Sequence, residues 1–237
     1  GSLNDIDWIV ENNLPLLFTN IDLKSIVNTS LNLAVFGGHI IVEKSNSDKV
    51  SVERIDGYNF KLKSAFYLEK LVKFENPYII CIDGFVESIS ELHFLLTQAN
   101  ESKSNILLFA RGLSDDVINT LKINYVRGTL NVIPIIVPFD LEGVNTLIDI
   151  AVVSNIDVLS TLKGDLISTL RLENLKTVNW CRLTSDNVLI HNNTSTKNVA
   201  IHLANLRKKR DNSIEDISSI LDKRIKSLFS SLVIIRL

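Results

Sequence analysis

Two adjacent carboxylates, Asp115 and Asp116, are the first candidates for a chemical role. Such a pair can bind a divalent cation or act as a general acid and base. Here it directly follows Ser114, a residue type that caps helices, and acidic side chains in a first helical turn are stabilised by the helix dipole. The position therefore favours a helix N-terminus over a metal or acid-base site.

The other groups that could ligate a metal or act as nucleophiles are dispersed. No histidine has a second ligand at metal-binding spacing, and the four lie in separate elements: His39, His93, His191 and His202. Cys81 and Cys181 fit no paired spacing, and Cys81 lies in an apolar run, which is typical of a buried thiol. No serine or cysteine forms a nucleophile elbow. We predict neither a catalytic residue nor a metal site.

Charge and hydropathy argue against polyanion and bilayer partners. The net charge is −2 over 237 residues, and Lys208-Lys209-Arg210 is flanked by acidic residues, as on a solvated helix face. No apolar run reaches the roughly 20 residues that cross a bilayer. Gly37-Gly38 lacks the lysine and hydroxyl companions of a phosphate loop. We expect no nucleic acid, no membrane and no nucleotide to bind this sequence.

Hydrophobic periodicity predicts the elements that position these residues. A helix is predicted over 22–35, followed by strands 39–42 and 50–55 that pair as a hairpin or ladder. Strands 78–82, 106–110 and 130–137 then alternate with helices that begin at Ser88 and Ser114. A helix over 147–153, a hairpin of 177–183 with 187–191, two helices within 197–229 and a last strand 232–235 follow. This order predicts an α/β core.

Several motifs in this order resemble the group I (GroEL-type) chaperonins from about Asp22 to Leu237. They are Phe36-Gly37-Gly38-His39-Ile40-Ile41-Val42-Glu43, Asn76-Pro77-Tyr78-Ile79-Ile80-Cys81-Ile82-Asp83, Ile106-Leu107-Leu108-Phe109-Ala110, Asn124-Tyr125-Val126-Arg127-Gly128-Thr129-Leu130 and Leu172-Glu173-Asn174-Leu175. Gly57-Tyr58-Asn59-Phe60 resembles the family's hinge. Ser230-Ser231 stands where the family has a second, Gly-Gly hinge, which puts the freedom of that hinge in doubt.

The resemblance implies a GroEL apical-domain-like fold of the swivelling β/β/α type, a strand sandwich flanked by helices, with a small α+β portion of an intermediate domain. Residues 1–55 correspond to the first part of the intermediate domain, with 1–2 read as a tag scar, 56–231 to the apical domain and 232–237 to the returning strand. We expect an excised fragment whose ATPase domain lies outside it. The fragment would be monomeric and need no cofactor, whereas the parent would be a heptameric ring using ATP and Mg²⁺.

The resemblance also implies a hydrophobic groove for non-native polypeptides and for the mobile loop of a GroES-type co-chaperonin. Its residues are Leu62, Phe66, Tyr67, His93, Leu96, Ile118, Lys122, Ile123 and Asn124. Without the resemblance, apolar residues at helical spacing indicate core. His93 and Lys122 replace aliphatic residues, which indicates either surface drift or a bias toward acidic clients.

Two readings of function stay open at this point. The favoured one is a chaperone domain that binds clients, and the alternative is a stand-alone α/β interaction module or an enzyme of the same architecture. Abundant Asn, Lys and Ile indicate an AT-rich genome. Such a genome is compatible with an organelle of a protist, with a bacterium or with a phage. The resemblance to group I chaperonins implies the mitochondrial matrix or a plastid, such as the apicoplast of a protist, with the bacterial cytoplasm as the alternative.

Overall fold

The computed structural model describes residues 39–43, 51–184, 186–229 and 231–236, with side chains from 56 to 229 except 185. The contacts divide the chain into two compact units, one formed by 57–230 and the other by the segments on either side, up to 56 and from 231. The domain limits expected from the sequence differ from these by one residue. The predicted helix over 22–35 lies outside the described residues.

The smaller unit contains a three-stranded sheet made by both ends of the chain. Its strands are β1 (His39–Glu43), β2 (Ser51–Asp56) and, from the far end, β12 (Ser231–Arg236). The order is β1-β12-β2, with β12 parallel to β1 and antiparallel to β2. The predicted pairing of β1 with β2 is therefore wrong. The uninterrupted apolar run of β12 is typical of a central strand, and it separates the two strands that are neighbours in sequence.

A five-stranded sheet forms the centre of the larger unit, in the order β4-β8-β7-β6-β9. Its members in chain order are β4 (Lys63–Ser64), β6 (Tyr78–Val86), β7 (Asn105–Leu113), β8 (Asn131–Ile136) and β9 (Val158–Ser160). All but β4 run parallel. Ile79, Phe109 and Ile133 are completely buried. Elements cover both faces of the sheet, which explains why these strands read as continuous apolar runs.

A second, antiparallel sheet has the order β3-β11-β10-β5. Its strands are β3 (Tyr58–Phe60), β5 (Val72–Glu75), β10 (Trp180–Leu183) and β11 (Val188–His191). The predicted hairpin is confirmed, because β10 pairs with β11 from Trp180 opposite His191 to Leu183 opposite Val188. The Trp180 and His191 rings stack with centroids 5.0 Å apart. The short strands β3, β4, β5 and β9 were not predicted.

Five α-helices lie among the described residues. They are α1 (His93–Ser102), α2 (Asp115–Val126), α3 (Leu141–Ser154), α4 (Thr196–Asp211) and α5 (Glu215–Ser227). The predicted cap of α2 is confirmed, since the Ser114 hydroxyl accepts from the Val117 amide at 3.3 Å. Before α1 a 3-10 turn, Ile89–Leu92, starts with a capping box of Ser88 and Glu91. Asp140 caps α3 and starts it six residues earlier than predicted.

A buried ionic network ties α3, α4 and α5 together. Asp149 on α3 has a side chain only 3% exposed, and its Oδ1 lies 2.7 Å from both Arg224 Nη2 and His202 Nε2. Arg224 Nε also donates to Asp149 Oδ2 at 2.9 Å, and Nη1 donates to Asn145 Oδ1 at 2.9 Å. A buried carboxylate is costly unless it is fully paired. This carboxylate therefore specifies where the two C-terminal helices dock.

We expect Asp149→Asn to lower the free energy of unfolding of the larger unit by about 3 kcal/mol, because Arg224 would be left nearly buried without its counter-charge. Urea unfolding followed by circular dichroism measures the change. Asp222→Asn is the matched control, because Asp222 on α5 binds Arg210 with a side chain that is 48% exposed. Equal losses for the two variants would contradict the proposed role of Asp149.

Candidate functional site

A groove of about 560 Å³ lies between α1, with the turn before it, and the end of α2. The 3-10 turn and α1 form one wall, and the last turn of α2 with the chain after it forms the other. The lining residues are Ile89, Ser90, His93, Leu96, Thr97, Asn100, Asn124, Thr129 and Leu130. Within this set the apolar side chains are Ile89, Leu96 and Leu130, so the groove is an apolar strip with polar edges.

The two helices present this groove because their other faces are used to cover the central sheet. On α1 and the turn before it, Leu92 and Leu95 are buried, and on α2 Val117 and Leu121 are completely buried. The resemblance predicts that these four residues and Ile89 point inward. The burial of the four is confirmed, whereas Ile89 is only half-buried and lines the groove. Positions 93, 96, 97 and 100 follow one another at three- and four-residue spacing, so they share the α1 face that borders the groove.

Internal hydrogen bonds hold the polar edges in place. The Thr97 hydroxyl donates to the His93 carbonyl at 2.9 Å. On the opposite wall the Thr129 hydroxyl donates to Asn124 Oδ1 at 2.8 Å, and the Asn124 amide donates to the Thr120 carbonyl at 2.8 Å. These bonds also close the C-terminal end of α2. The groove is therefore a preformed shape rather than a gap between mobile side chains.

Three of the predicted site residues, His93, Leu96 and Asn124, line the groove together. Ile123 lies one position before Asn124 with 48% of its side chain exposed. Ile118 and Lys122 lie elsewhere on α2: Ile118 packs against the core and Lys122 is exposed. At 100° per residue, Lys122 is about 160° around the helix from Asn124. It is absent from the groove lining, and its effect on client charge stays a prediction.

The predicted extended segment contacts α2 and β8, and none of its three predicted residues lines the groove. Leu62 and Phe66 are each only 6% exposed, and the Phe66 ring contacts Tyr125 on α2 with centroids 5.6 Å apart. Tyr67, by contrast, is 78% exposed. The Ala65 amide donates to the Pro134 carbonyl at 2.8 Å and fixes the segment beside β8. Leu62 and Phe66 therefore support the wall from within, and Tyr67 alone among the three is available to a ligand.

The proposed hinge residues are only partly described. Ser230 lies outside the described residues, and Ser231 begins β12, opposite Asp56 of β2. A side chain at Gly57 would place its Cβ 3.0 Å from Leu189 Cδ1 and 3.3 Å from the Ile190 carbonyl oxygen. Gly57 thus packs closely against β11, and a hinge role stays a prediction.

Sequence reasoning missed the polar edges of the groove. Thr97, Asn100 and Thr129 were not predicted, although Thr97 and Asn100 follow His93 by four and seven residues. That helical spacing is the signal that could have identified them. Thr129 had no comparable signal, because it reaches the groove through the turn after α2.

The described part of the chain offers no competing centre of metal or membrane chemistry. Its residues include no group of three His, Cys, Asp or Glu side chains that could hold a metal ion. None of the helices found there is long and apolar enough to cross a membrane. His202, one candidate ligand, is bonded to Asp149 in the network described above.

Two GroEL chaperonins are similar to this chain in sequence. Chaperonin GroEL of Mycoplasmoides gallisepticum is 28% identical over 207 residues, which make up 84% of this chain and 39% of that protein. Chaperonin GroEL 1 of Prochlorococcus marinus is 24% identical over 224 residues, or 91% of this chain and 40% of that protein. The chain thus spans about two fifths of the length of these relatives. No protein-family model matches it.

Solved structures give the same answer for the fold. Two crystal forms of chaperonin gp146 from the bacteriophage EL 2 (Pseudomonas aeruginosa), determined in the presence of ATP-BeFx, superpose on this chain. The first has a TM-score of 0.69 at 16% identity and covers 92% of this chain and 44% of that one. The second has a TM-score of 0.62 at 15% identity and covers 90% and 44%. The predicted GroEL-type α/β fold is confirmed.

The two cysteines provide a test of the packing behind the site. Cys81 in β6 and Cys181 in β10 are free and fully buried, and burial raises the pKa of both thiols well above the ordinary value. Because the thiolate is the reactive form, we expect neither to react with iodoacetamide at pH 8 in the folded protein. Both should react in urea, as mass spectrometry would show. Rapid labelling of the folded protein would contradict this packing.

Proposed function

We propose, from the relationship of this chain to the GroEL-type chaperonins in sequence and in fold, that its larger unit binds non-native polypeptides. The observation that supports this most directly is the preformed groove between α1 and α2, with an apolar strip and exposed aliphatic residues beside it. A protein that assists folding must hold many sequences weakly. A shallow groove with little charge meets that requirement.

The surface beside the groove provides the apolar area. Ile123 and Val126 lie three residues apart on α2 and are 48% and 76% exposed. On α1, Phe94 is 54% exposed, with the Arg171 guanidinium 4.2 Å above the centre of its ring. Removing such surface from water stabilises a complex by about 25 cal/mol per Å². The interaction has no preferred direction, which makes it suitable for unrelated clients.

We further propose that the mobile loop of a GroES-type co-chaperonin uses the same groove. A groove with a single apolar strip can hold one helix or one extended segment, not two at once. If the two ligands share this groove, co-chaperonin and client compete for it. In the parent protein that competition would release clients.

The remaining functions of a chaperonin are proposed for the parent protein. ATP hydrolysis with Mg²⁺ and assembly into a ring would belong to sequence other than these residues, and we propose no catalytic activity for the chain itself. We expect it to be monomeric. The proposed compartment is the mitochondrial matrix or a plastid, with the bacterial cytoplasm as the alternative.

Replacing Ile123 with asparagine should weaken binding of an unfolded, carboxymethylated protein by about 1 kcal/mol, because apolar contact area is lost. Fluorescence anisotropy of the labelled client measures the affinity. Ile201→Asn is the matched control, because Ile201 is also an isoleucine on a helix and is 52% exposed, but it lies on α4. Equal losses for the two variants would mean that clients bind exposed apolar residues anywhere on the surface.

A peptide with the sequence of the cognate co-chaperonin loop should be displaced by the same unfolded client. The expected result is an apparent peptide affinity that falls in proportion to client concentration, since both ligands occupy one site. Simultaneous saturation by peptide and client would contradict a shared groove. The titration is repeated with Ile123→Asn, which should weaken both ligands together.

A further inference from the structure

We infer that the groove prefers segments in which one aliphatic side chain is flanked by neutral hydrogen-bond donors, such as Ser, Thr, Asn or Gln, over segments that are apolar throughout. This inference rests on the proposed function and specifies its client class. It follows from three properties of the lining: the small size of the apolar floor, the direction of the edge hydrogen bonds and the absence of lining carboxylates.

The apolar floor is small. Leu96 and Leu130 are only 9% and 8% exposed, so most of their surface already packs against the protein, and Ile89 is half-buried beside them. The apolar surface that they leave open is therefore small, and we assign one aliphatic side chain of a ligand to it. A second apolar side chain in the same segment would have to lie against the polar edges.

Two threonines on the polar edges present acceptors, because their hydroxyl hydrogens are already donated within the protein. The Thr97 hydroxyl donates to the His93 carbonyl at 2.9 Å, and the Thr129 hydroxyl donates to Asn124 Oδ1 at 2.8 Å. The lone pairs of the two hydroxyl oxygens, one on each wall of the groove, remain for a ligand. A bound segment can satisfy them only by donating hydrogen bonds.

The two threonine oxygens make the groove favour segments with hydrogen-bond donors over apolar segments, because burying an unpaired oxygen is unfavourable. An apolar segment pressed into the groove would remove the threonine oxygens from water without replacing the lost hydrogen bonds, which is unfavourable. A segment with hydroxyl or amide groups beside its anchor would restore those bonds. Sites that are built to hydrogen-bond a ligand reject analogues that lack the matching group.

The charge around the groove favours neutral donors over cationic ones in the bound segment. The groove residues include no Asp or Glu, so no lining carboxylate can form an ion pair with a lysine or arginine of the ligand. At the far end Lys103 Nζ donates to Asn100 Oδ1 at 3.1 Å, which places a positive charge near that edge. A cationic ligand would be repelled there, whereas serine, threonine and the amides would not.

Thr97→Val tests the inference, because it replaces the acceptor oxygen with a methyl group of similar size. Two peptides share a central leucine, flanked by Ser and Gln in one and by Val and Ala in the other. We expect Thr97→Val to weaken the Ser/Gln peptide by about threefold to tenfold, the effect of one hydrogen bond. Affinity for the Val/Ala peptide should stay the same or rise. Thr97→Ser, which keeps the oxygen, should preserve the original preference.

The outcomes separate this inference from the proposed function. Equal changes for the two peptides in Thr97→Val would overturn the preference while leaving client binding intact. Failure of both peptides to bind the unchanged protein would overturn the two proposals together. Thr129→Val on the opposite wall is the second variant, and unfolding curves of all variants show whether each still folds. A preference abolished by both valine variants and kept by Thr97→Ser is the supporting result.

Discussion

Burial of the central parallel sheet on both faces is the constraint from which the rest of the larger unit follows. A parallel sheet exposes no face to water, so β6, β7 and β8 need elements on each side. Covering one side requires the inner faces of α1 and α2, which supply Leu95 and Leu121 to the core. Once those faces are committed, the opposite edges of the two helices are left to border a groove. The site is thus a consequence of how the sheet is covered.

A charged group is tolerated beside this buried sheet because it is paired. Asp149 lies on α3, next to the sheet, at a place where an unpaired carboxylate would be strongly unfavourable. Arg224 and His202 both bond to it, and each comes from a different helix, α5 and α4. An apolar residue at 149 would leave Arg224 and His202 without this partner. The bonds of the ionic network favour the observed arrangement of the three helices.

Much of the larger unit could be predicted from the sequence. The parts that could not be predicted depend on information that the local sequence does not carry. The run around Ile79 and the capping position of Ser114 are local signals, so the parallel strands and the start of α2 were predicted correctly. The central position of β12 and the Asp149 network depend on residues far apart in the chain, for which periodicity carries no information. Leu62 and Phe66 show a different limit. The sequence of an extended segment does not distinguish an apolar side chain that faces a ligand from one that faces the core. Only the fold decides between them.

The central position of β12 has a consequence for how the protein is made. His39 of β1 pairs with Leu232 of β12, roughly 190 residues later, and contacts between such distant residues form late. During synthesis the ribosome releases β1 and β2 long before their shared partner exists. The segment between β2 and β12 can complete its own core in that interval, since domains generally fold as units as they emerge. Translation therefore leaves the small sheet open until almost the last of these residues has been added, and a chain stalled before residue 231 would expose two unpaired strand edges to the cell.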